Sequence, residues 1–386
     1  MATIEKLSKR QKRIYWMDNL RTFVIFLVVL YHVGGVYEAA GLWGWFWIVD
    51  DPDTIDWVGF LGIVIDTFIM ATMFLISGYM TPASMENKTG WDFLKAKFKR
   101  LMIPWMFAVL TLIPLYKVIF LYSRGLPQEH WSTYFHITNV NSQNWLWFLP
   151  LLFCFDLVYL LLKKANVKFP NISLKVAVLT AFVIGLIYSF GIGFLVDFRS
   201  WTLTPLIDFE NERLLVYFMA FLIGALCYQR DVFAQKPKSQ VLYIVACSVA
   251  WIPVTLHIFA RIWPIFYPDG FEITPLYRLI WYSSFLLSTF CMTYLMVETF
   301  WRYFDRTGKL WRELSKNSYG VYIIHVVVIG VFGTLLLTTN LPAVVKYLLL
   351  VVSTYVGSNL LVSMYRSVRE GLKLRSSKSL SPAKGA

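Results

Sequence analysis

The sequence predicts an all-α fold: a polytopic transmembrane bundle of about ten helices with both termini cytoplasmic. Three observations predict it. The 386 residues are 58% hydrophobic and only 15% charged, against roughly 25% charged in a soluble globular domain. Apolar runs of about 20 residues, the length that crosses a hydrocarbon layer of roughly 30 Å, recur from one end to the other. Lys and Arg gather in alternate connections between those runs.

The runs fall at 20–38, 58–80, 101–121, 144–162, 174–196, 213–228, 241–259, 275–297, 318–338 and 341–364. The first is too long for a cleavable signal peptide and is followed by no small-residue cleavage site, so it is expected to stay as a helix. The sixth is short, and only Thr339, Asn340, Leu341 and Pro342 divide the last two. Followed in order, the connections alternate in charge. The N-terminal tail carries Lys6, Lys9, Arg10, Lys12 and Arg13, and the first loop Asp50, Asp51, Asp53 and Asp56. The second loop carries Lys88, Lys95, Lys97, Lys99 and Arg100; later loops on that side carry Lys163, Lys164 and Lys168, then Arg230, Lys236 and Lys238, then Arg302, Arg306, Lys309, Arg312 and Lys316. The opposite side is acidic or sparse, with Asp197, Asp208, Glu210 and Glu212 between the fifth and sixth runs. Basic loops are retained in the cytoplasm, which sets the orientation. It fits an integral protein of a bacterial or archaeal plasma membrane.

No repeat, linker or soluble unit interrupts the chain, so residues 1–386 read as a single transmembrane domain with basic tails at 1–18 and 366–386. The net charge of +13 follows from the retention signal and from attraction to anionic membrane lipid, and calls for no nucleic acid. Cys154, Cys227, Cys247 and Cys291 lie inside spans as small packing residues. His130, His136 and His257 are scattered without metal-ligand spacing, so no metal site is expected.

An ionisable residue inside a span costs at least about 2.5 kcal/mol if it faces lipid, so each one must face protein or water. His32 lies roughly 18 Å from the inner start of the first run, and Asp66 at nearly the same depth on the second. Arg21 precedes His32 by eleven residues, which brings both onto one helix face. In the functional reading, Arg21 receives an anionic substrate group and His32 handles protons, with Asp66 as the carboxylate that orients it. In the plain reading, Arg21 is a retention charge, His32 a packing histidine and Asp66 a brace. Lys97 and Arg100, three apart at the inner start of the third span, form a two-pronged basic face suited to phosphates, or serve retention alone. His325 and Asp156 are further buried ionisable residues, either of which serves structure equally well. The outer tryptophans Trp43, Trp45, Trp47, Trp57, Trp131, Trp145, Trp147, Trp201 and Trp263 form an interfacial belt, and indole faces also stack on sugars.

Several ordered motifs resemble the acyltransferase-3 family of integral membrane O-acyltransferases, especially its periplasmic glucan succinyltransferase branch. They are Asp18-Asn19-Leu20-Arg21 followed by His32; Phe74 to Tyr79, with Ser77; Phe93 to Pro104, with Lys97 and Arg100; Trp147-Phe148-Leu149; Phe221 to Tyr228; and Asn317-Ser318-Tyr319 through Tyr322 to His325. The resemblance implies transfer of an acyl group, acetyl or succinyl, from cytoplasmic acyl-CoA to a hydroxyl of an extracytoplasmic glycan or lipid-linked sugar. Acyl-CoA would enter as co-substrate, and no bound cofactor is expected. The family's essential histidine maps onto His32 and its arginine onto Arg21, with Lys97 and Arg100 near the CoA. His325, Tyr322, Trp147 and Ser77 are further site candidates. The chain departs from the family in three places. Many relatives have a carboxylate shortly after the histidine to orient it, and Glu38, six residues on, is the nearest candidate for that role here; Trp145 stands where relatives often have histidine, and Val326 where they often have proline. His32 suits a general base, and an acyl-histidine relay is the other route. A proton-coupled transporter or flippase is the rival reading, and would require paired helix breaks near midplane in both halves.

Overall fold

A computed structural model describes residues 14–39, 47–135, 143–167, 171–234, 239–267 and 271–379. Lys6 to Arg13, Trp43, Trp45, His136, Lys168, Lys236, Lys238 and Lys384 lie outside the described residues. The apolar runs become helices α1 (Tyr15–Tyr37), α2 (Asp56–Asp66), α3 (Ile69–Met85), α4 (Gly90–Ser123), α5 (Phe148–Lys164), α6 (Leu174–Leu195), α7 (Leu214–Gln229), α8 (Val241–Val249), α9 (Trp251–Phe266), α10 (Pro275–Tyr303), α11 (Lys309–Leu337) and α12 (Ala343–Ser379). Nine helical spans among the described residues are long and apolar enough to cross a membrane, α2 with α3 and α8 with α9 each counting as one. The expected sixth span, α7, is the exception, a 16-residue apolar helix. Below, inner means the side of the basic loops and outer the opposite side.

Helix α7 manages with its length because it packs inside the bundle, backbone against backbone with α3. A Cβ at Gly78 would collide with the Phe221 carbonyl, and one at Gly224 with the Leu75 carbonyl. The contact therefore requires glycine on both helices, as in close small-residue packing between membrane helices. Around it the main core draws on α1, α3, α4, α5, α7 and α11. Burial separates central from peripheral spans: the apolar window is 61% buried in Tyr15–Tyr37 but 22% in both Leu174–Leu195 and Val241–Phe266. The large apolar residues left exposed on those peripheral spans, such as Leu179, Ile187, Leu242 and Phe259, face lipid.

The second span breaks at Phe68, whose φ of −134° leaves the helix between α2 and α3. Inside hydrocarbon a freed carbonyl needs a partner from the protein. The Thr289 hydroxyl supplies one, 2.7 Å from the Thr67 carbonyl. Between α8 and α9, by contrast, Ala250 keeps helical angles of −59° and −28°. Pro253 has no N–H for the Val249 carbonyl, which loosens one turn without bending the helix out of register. Among the described residues there is thus one true mid-span break, not a matched pair.

Two structures close the outer side. The loop after α1 folds back on the bundle, with Asp51 and Asp53 at 3.3 and 2.8 Å from Lys346 Nζ on α12. Between α6 and α7 a small antiparallel hairpin, β1 (Trp201–Thr202) and β2 (Phe209–Glu210), pairs Trp201 with Glu210. Asp208 beside it is buried, which pushes its carboxyl up to about 6. Helix α1 begins at Tyr15, earlier than the expected 20, because Asn19 donates to the Phe304 and Arg306 carbonyls at 2.7 and 2.9 Å and so draws the polar start of the helix into the protein. His32 consequently sits about 26 Å from the first residue of its helix, deeper than expected and near its outer end.

Gly224→Val should lower stability by about 1–3 kcal/mol through overpacking, seen as a lower melting temperature in detergent. Gly191→Ala, with open space around it, should leave the melt unchanged.

Candidate active site

His32 on α1 meets His325 on α11. The Nε2 of His325 lies 3.1 Å from Nδ1 of His32, and the two rings are 4.9 Å apart. The backbone decides which nitrogens carry protons, because a carbonyl oxygen only accepts. His325 Nδ1 lies 2.7 Å from the Tyr322 carbonyl and 3.2 Å from that of Val321, so in the neutral ring this nitrogen bears the hydrogen and Nε2 the lone pair. His32 Nδ1 lies 2.8 Å from the Val28 carbonyl. It therefore also bears a hydrogen, shared between Val28 and His325 Nε2. The lone pair of a neutral His32 is thereby assigned to its Nε2.

Neighbouring groups fix this pair. His325 is fully buried, and the turn of α11 that carries it is tied to the start of α5. Trp145 Nε1 donates to the Ile323 carbonyl at 2.9 Å, and the Tyr322 hydroxyl donates to the Trp145 carbonyl at 2.5 Å. Trp145, standing where relatives often have histidine, thus acts here as a clamp on α11. Trp47 stacks on His32 at 5.3 Å with an interplanar angle of 15°. Its backbone is held in turn by Arg124, whose Nη2 donates to the Trp47 carbonyl at 2.8 Å.

Several expected site residues lie elsewhere. Asp66 does not reach His32. Because α2 stops there, its carboxylate turns to Arg213, with Nη1 and Nη2 both at 3.0 Å from Oδ2. The polar partner of His32 is His325 instead. Glu38 is the first residue beyond α1, about 9 Å along the helix axis from His32. Lys97 and Arg100 do not form a two-pronged face. Lys97 Nζ turns inward, 2.8 Å from Asp156 Oδ1 and 3.2 Å from Thr81 Oγ1, and Asp156 is wholly buried. Arg100 stays exposed at the surface and its carbonyl accepts from the Tyr319 hydroxyl at 2.7 Å. Arg21 lies on α1 with Asp18 at 3.1 Å, about 16 Å along the axis from His32. Ser77 sits on α3, where its carbonyl accepts from Thr81 at 3.0 Å. Trp147 meets Tyr217 at 6.2 Å and Trp201 at 5.6 Å, making an aromatic wall on the outer side.

The family model for this acyltransferase domain matches residues 14–362. The chain belongs to the acyltransferase-3 family. Both histidines of the pair, Arg21 and the Lys97–Asp156 bridge fall inside the matched region. Glucans biosynthesis protein C of Escherichia coli (strain SMS-3-5 / SECEC) is similar, at 24% identity over 241 residues, covering 56% of this chain and 58% of that protein. The chain thus spans less than two thirds of that relative's length. No solved structure matches.

Sequence reasoning missed the outer arginines Arg199, Arg213, Arg261 and Arg278. A signal was available: they are basic residues on the side that the charge rule leaves acidic or sparse. Arg213 bridges Asp66 and Glu210, the latter at 3.1 Å, and its guanidinium lies 4.2 Å from the Phe285 ring centroid.

The Lys97–Asp156 bridge makes a firm prediction. Lys97→Met should destabilise the acyltransferase by about 3–5 kcal/mol, because it strands a buried carboxylate, and adding Asp156→Leu should restore most of the loss. Unfolding in detergent reads both. A phosphate-binding Lys97 would instead leave stability unchanged and weaken acyl-CoA binding.

Proposed function

We propose that the protein moves an acyl group from acyl-CoA to a hydroxyl of a glycan or lipid-linked sugar, with His32 as general base. The observation that carries this reading is the pair of acceptors at His32 Nδ1, the Val28 carbonyl and His325 Nε2, which commit its hydrogen and assign the lone pair to Nε2. In the step envisaged, the acceptor hydroxyl oxygen attacks the thioester carbonyl while Nε2 takes its proton. The tetrahedral adduct then collapses, breaking the C–S bond, and the departing CoA thiolate takes the proton back from Nε2. An ester and free CoA result, and the histidine is restored.

His325 supports this chemistry without touching substrate. As Nε2 of His32 gains a proton, positive charge develops across the ring, and the His325 lone pair accepts the Nδ1 hydrogen more strongly. A carboxylate performs this service in serine hydrolases. A neutral imidazole performs it without placing a second charge inside the bundle. Arg21, on the same helix face and nearer the inner end, is suited to CoA phosphates, with the pantetheine arm extending toward His32. Arg100, with Lys95 and Lys99 beside it, adds exposed positive charge on that side. The outer wall of Trp147, Tyr217 and Trp201 offers flat faces for a sugar ring. The similarity to a protein named for glucan biosynthesis favours a glycan acceptor. The carrier reading loses support, because the single true mid-span break among the described residues does not supply the paired discontinuities it requires.

Thioester turnover by purified protein, followed through release of free thiol, tests the reading. His32→Ala should lower turnover by about 10²–10⁴-fold with an unchanged melting temperature. His325→Gln, which keeps an acceptor oxygen near Nδ1, should fall less than His325→Ala, whose loss should be about 10–100-fold, the size usual for an orienting partner. Turnover that survives His32→Ala would overturn the assignment.

A further inference from the structure

Around the outer ends of α6, α7, α9 and α10, four arginines meet three carboxylates: Arg199, Arg213, Arg261 and Arg278 against Asp66, Glu210 and Glu212. One positive charge is in surplus. Arg213 is fully engaged by Asp66 and Glu210. Glu212 is engaged by the Tyr282 hydroxyl at 2.6 Å and the Arg199 backbone N–H at 2.8 Å.

Among the described residues, Arg199, Arg261 and Arg278 have no close carboxylate of their own, so the surplus is shared among them. The most enclosed guanidinium of the three is that of Arg261, whose side chain is only 8% exposed and whose nearest carboxylate oxygen, 3.9 Å away, is the Asp66 oxygen already held by Arg213. Its Nε and Nη1 are buried with no hydrogen-bond partner, and so is Nε of Arg199. Both guanidinium groups gather on a single indole, with Arg199 at 5.2 Å and Arg261 at 5.7 Å from the Trp281 ring. They lie near enough for their charges to repel. A buried cation left without a hydrogen-bond acceptor is costly, and two such groups converging are costlier. A planar fork of N–H donors matches an anion with two or more oxygens. Asp66 is 17% exposed and Arg199 partly so, which leaves an approach from the outer loops.

We propose that Arg261 and Arg199, framed by Trp281, form an outer subsite for an oxyanion, a carboxylate or phosphate group carried by one of the two substrates. The subsite borders the catalytic helix. Tyr31, next to His32, places its hydroxyl 3.5 Å from Asp66. That the oxyanion belongs to a substrate rests on the acyltransferase reading; that the subsite binds an oxyanion does not.

The test begins without acyl-CoA. Protein in nanodiscs of zwitterionic lipid is titrated with succinate and with inorganic phosphate, and binding is read by calorimetry. The wild type should bind at least one of them, and Arg261→Gln and Arg199→Gln should each weaken that binding about tenfold or more, the scale of a lost charge-assisted hydrogen bond. Arg261→Lys should recover part of it. Without anion, Arg261→Gln should melt no lower than wild type, since it removes an unpaired charge, whereas Arg213→Gln should melt lower. Absence of binding by either anion, binding indifferent to both substitutions, or an Arg261→Gln melt as low as that of Arg213→Gln would overturn the proposal. Thioester cleavage then locates the source. A greater loss in Arg261→Gln with succinyl-CoA than with acetyl-CoA places the oxyanion on the acyl group, and equal losses place it on the acceptor. Anion binding in a protein that cleaves no acyl-CoA would preserve the subsite while removing the acyltransferase reading.

Discussion

The hydrogen bond between His325 and His32 joins the first helix of the bundle to the eleventh, and it exists only while both helices hold their height and rotation. A slip of one residue on either would swing an imidazole about 100° around its helix. Much of the surrounding structure opposes that slip. Trp145 and Tyr322 fasten α11 to the start of α5 through two bonds of opposite polarity. Arg124 holds the backbone of Trp47, and Trp47 covers the ring of His32. Lys346 draws down the loop that follows. The tautomers of the histidine pair are thus set by backbone carbonyls three and four residues back, and its position by contacts from the other helices.

The same constraint governs every polar group in the bundle: with no water in the hydrocarbon, each must find its partner within the protein. Thr289 satisfies the carbonyl freed at the α2–α3 break, Asp156 satisfies Lys97, and Arg213 satisfies Asp66 and Glu210. Against so much internal pairing, the unpartnered nitrogens of Arg261 and Arg199 stand out. They are where an entering oxyanion would supply the missing acceptors.

The fold was largely legible in the sequence because hydrocarbon thickness sets the length of apolar runs, and chain retention sets where basic residues fall. What escaped was tertiary in origin. Helix α1 starts at Tyr15 because Asn19 finds carbonyls beyond α10, which no local pattern encodes. His32 was legible as an ionisable residue inside a span, but its partner was not. Matched depth pointed to Asp66, while helix rotation and the break at Phe68 turned that carboxylate to Arg213 and left the place to His325. Lys97 stood among loop lysines and arginines that retention alone explains, so nothing local distinguished the one that turns inward to Asp156. The outer arginines were visible as exceptions to the charge rule, yet their convergence on Trp281 depends on four helices packing together.

Nitrogen-15 NMR of histidine-labelled protein, with His32 assigned by substitution, tests the central claim most directly. Near neutral pH, His32 is expected as the Nδ1–H tautomer with an unprotonated Nε2, and His325→Ala should keep that tautomer, held by the Val28 carbonyl, while moving the Nδ1–H proton resonance upfield as one acceptor is lost. A His32 that carries its hydrogen on Nε2 in the wild type, or whose Nδ1–H resonance is indifferent to His325→Ala, would contradict the claim that Val28 and His325 together present the Nε2 lone pair.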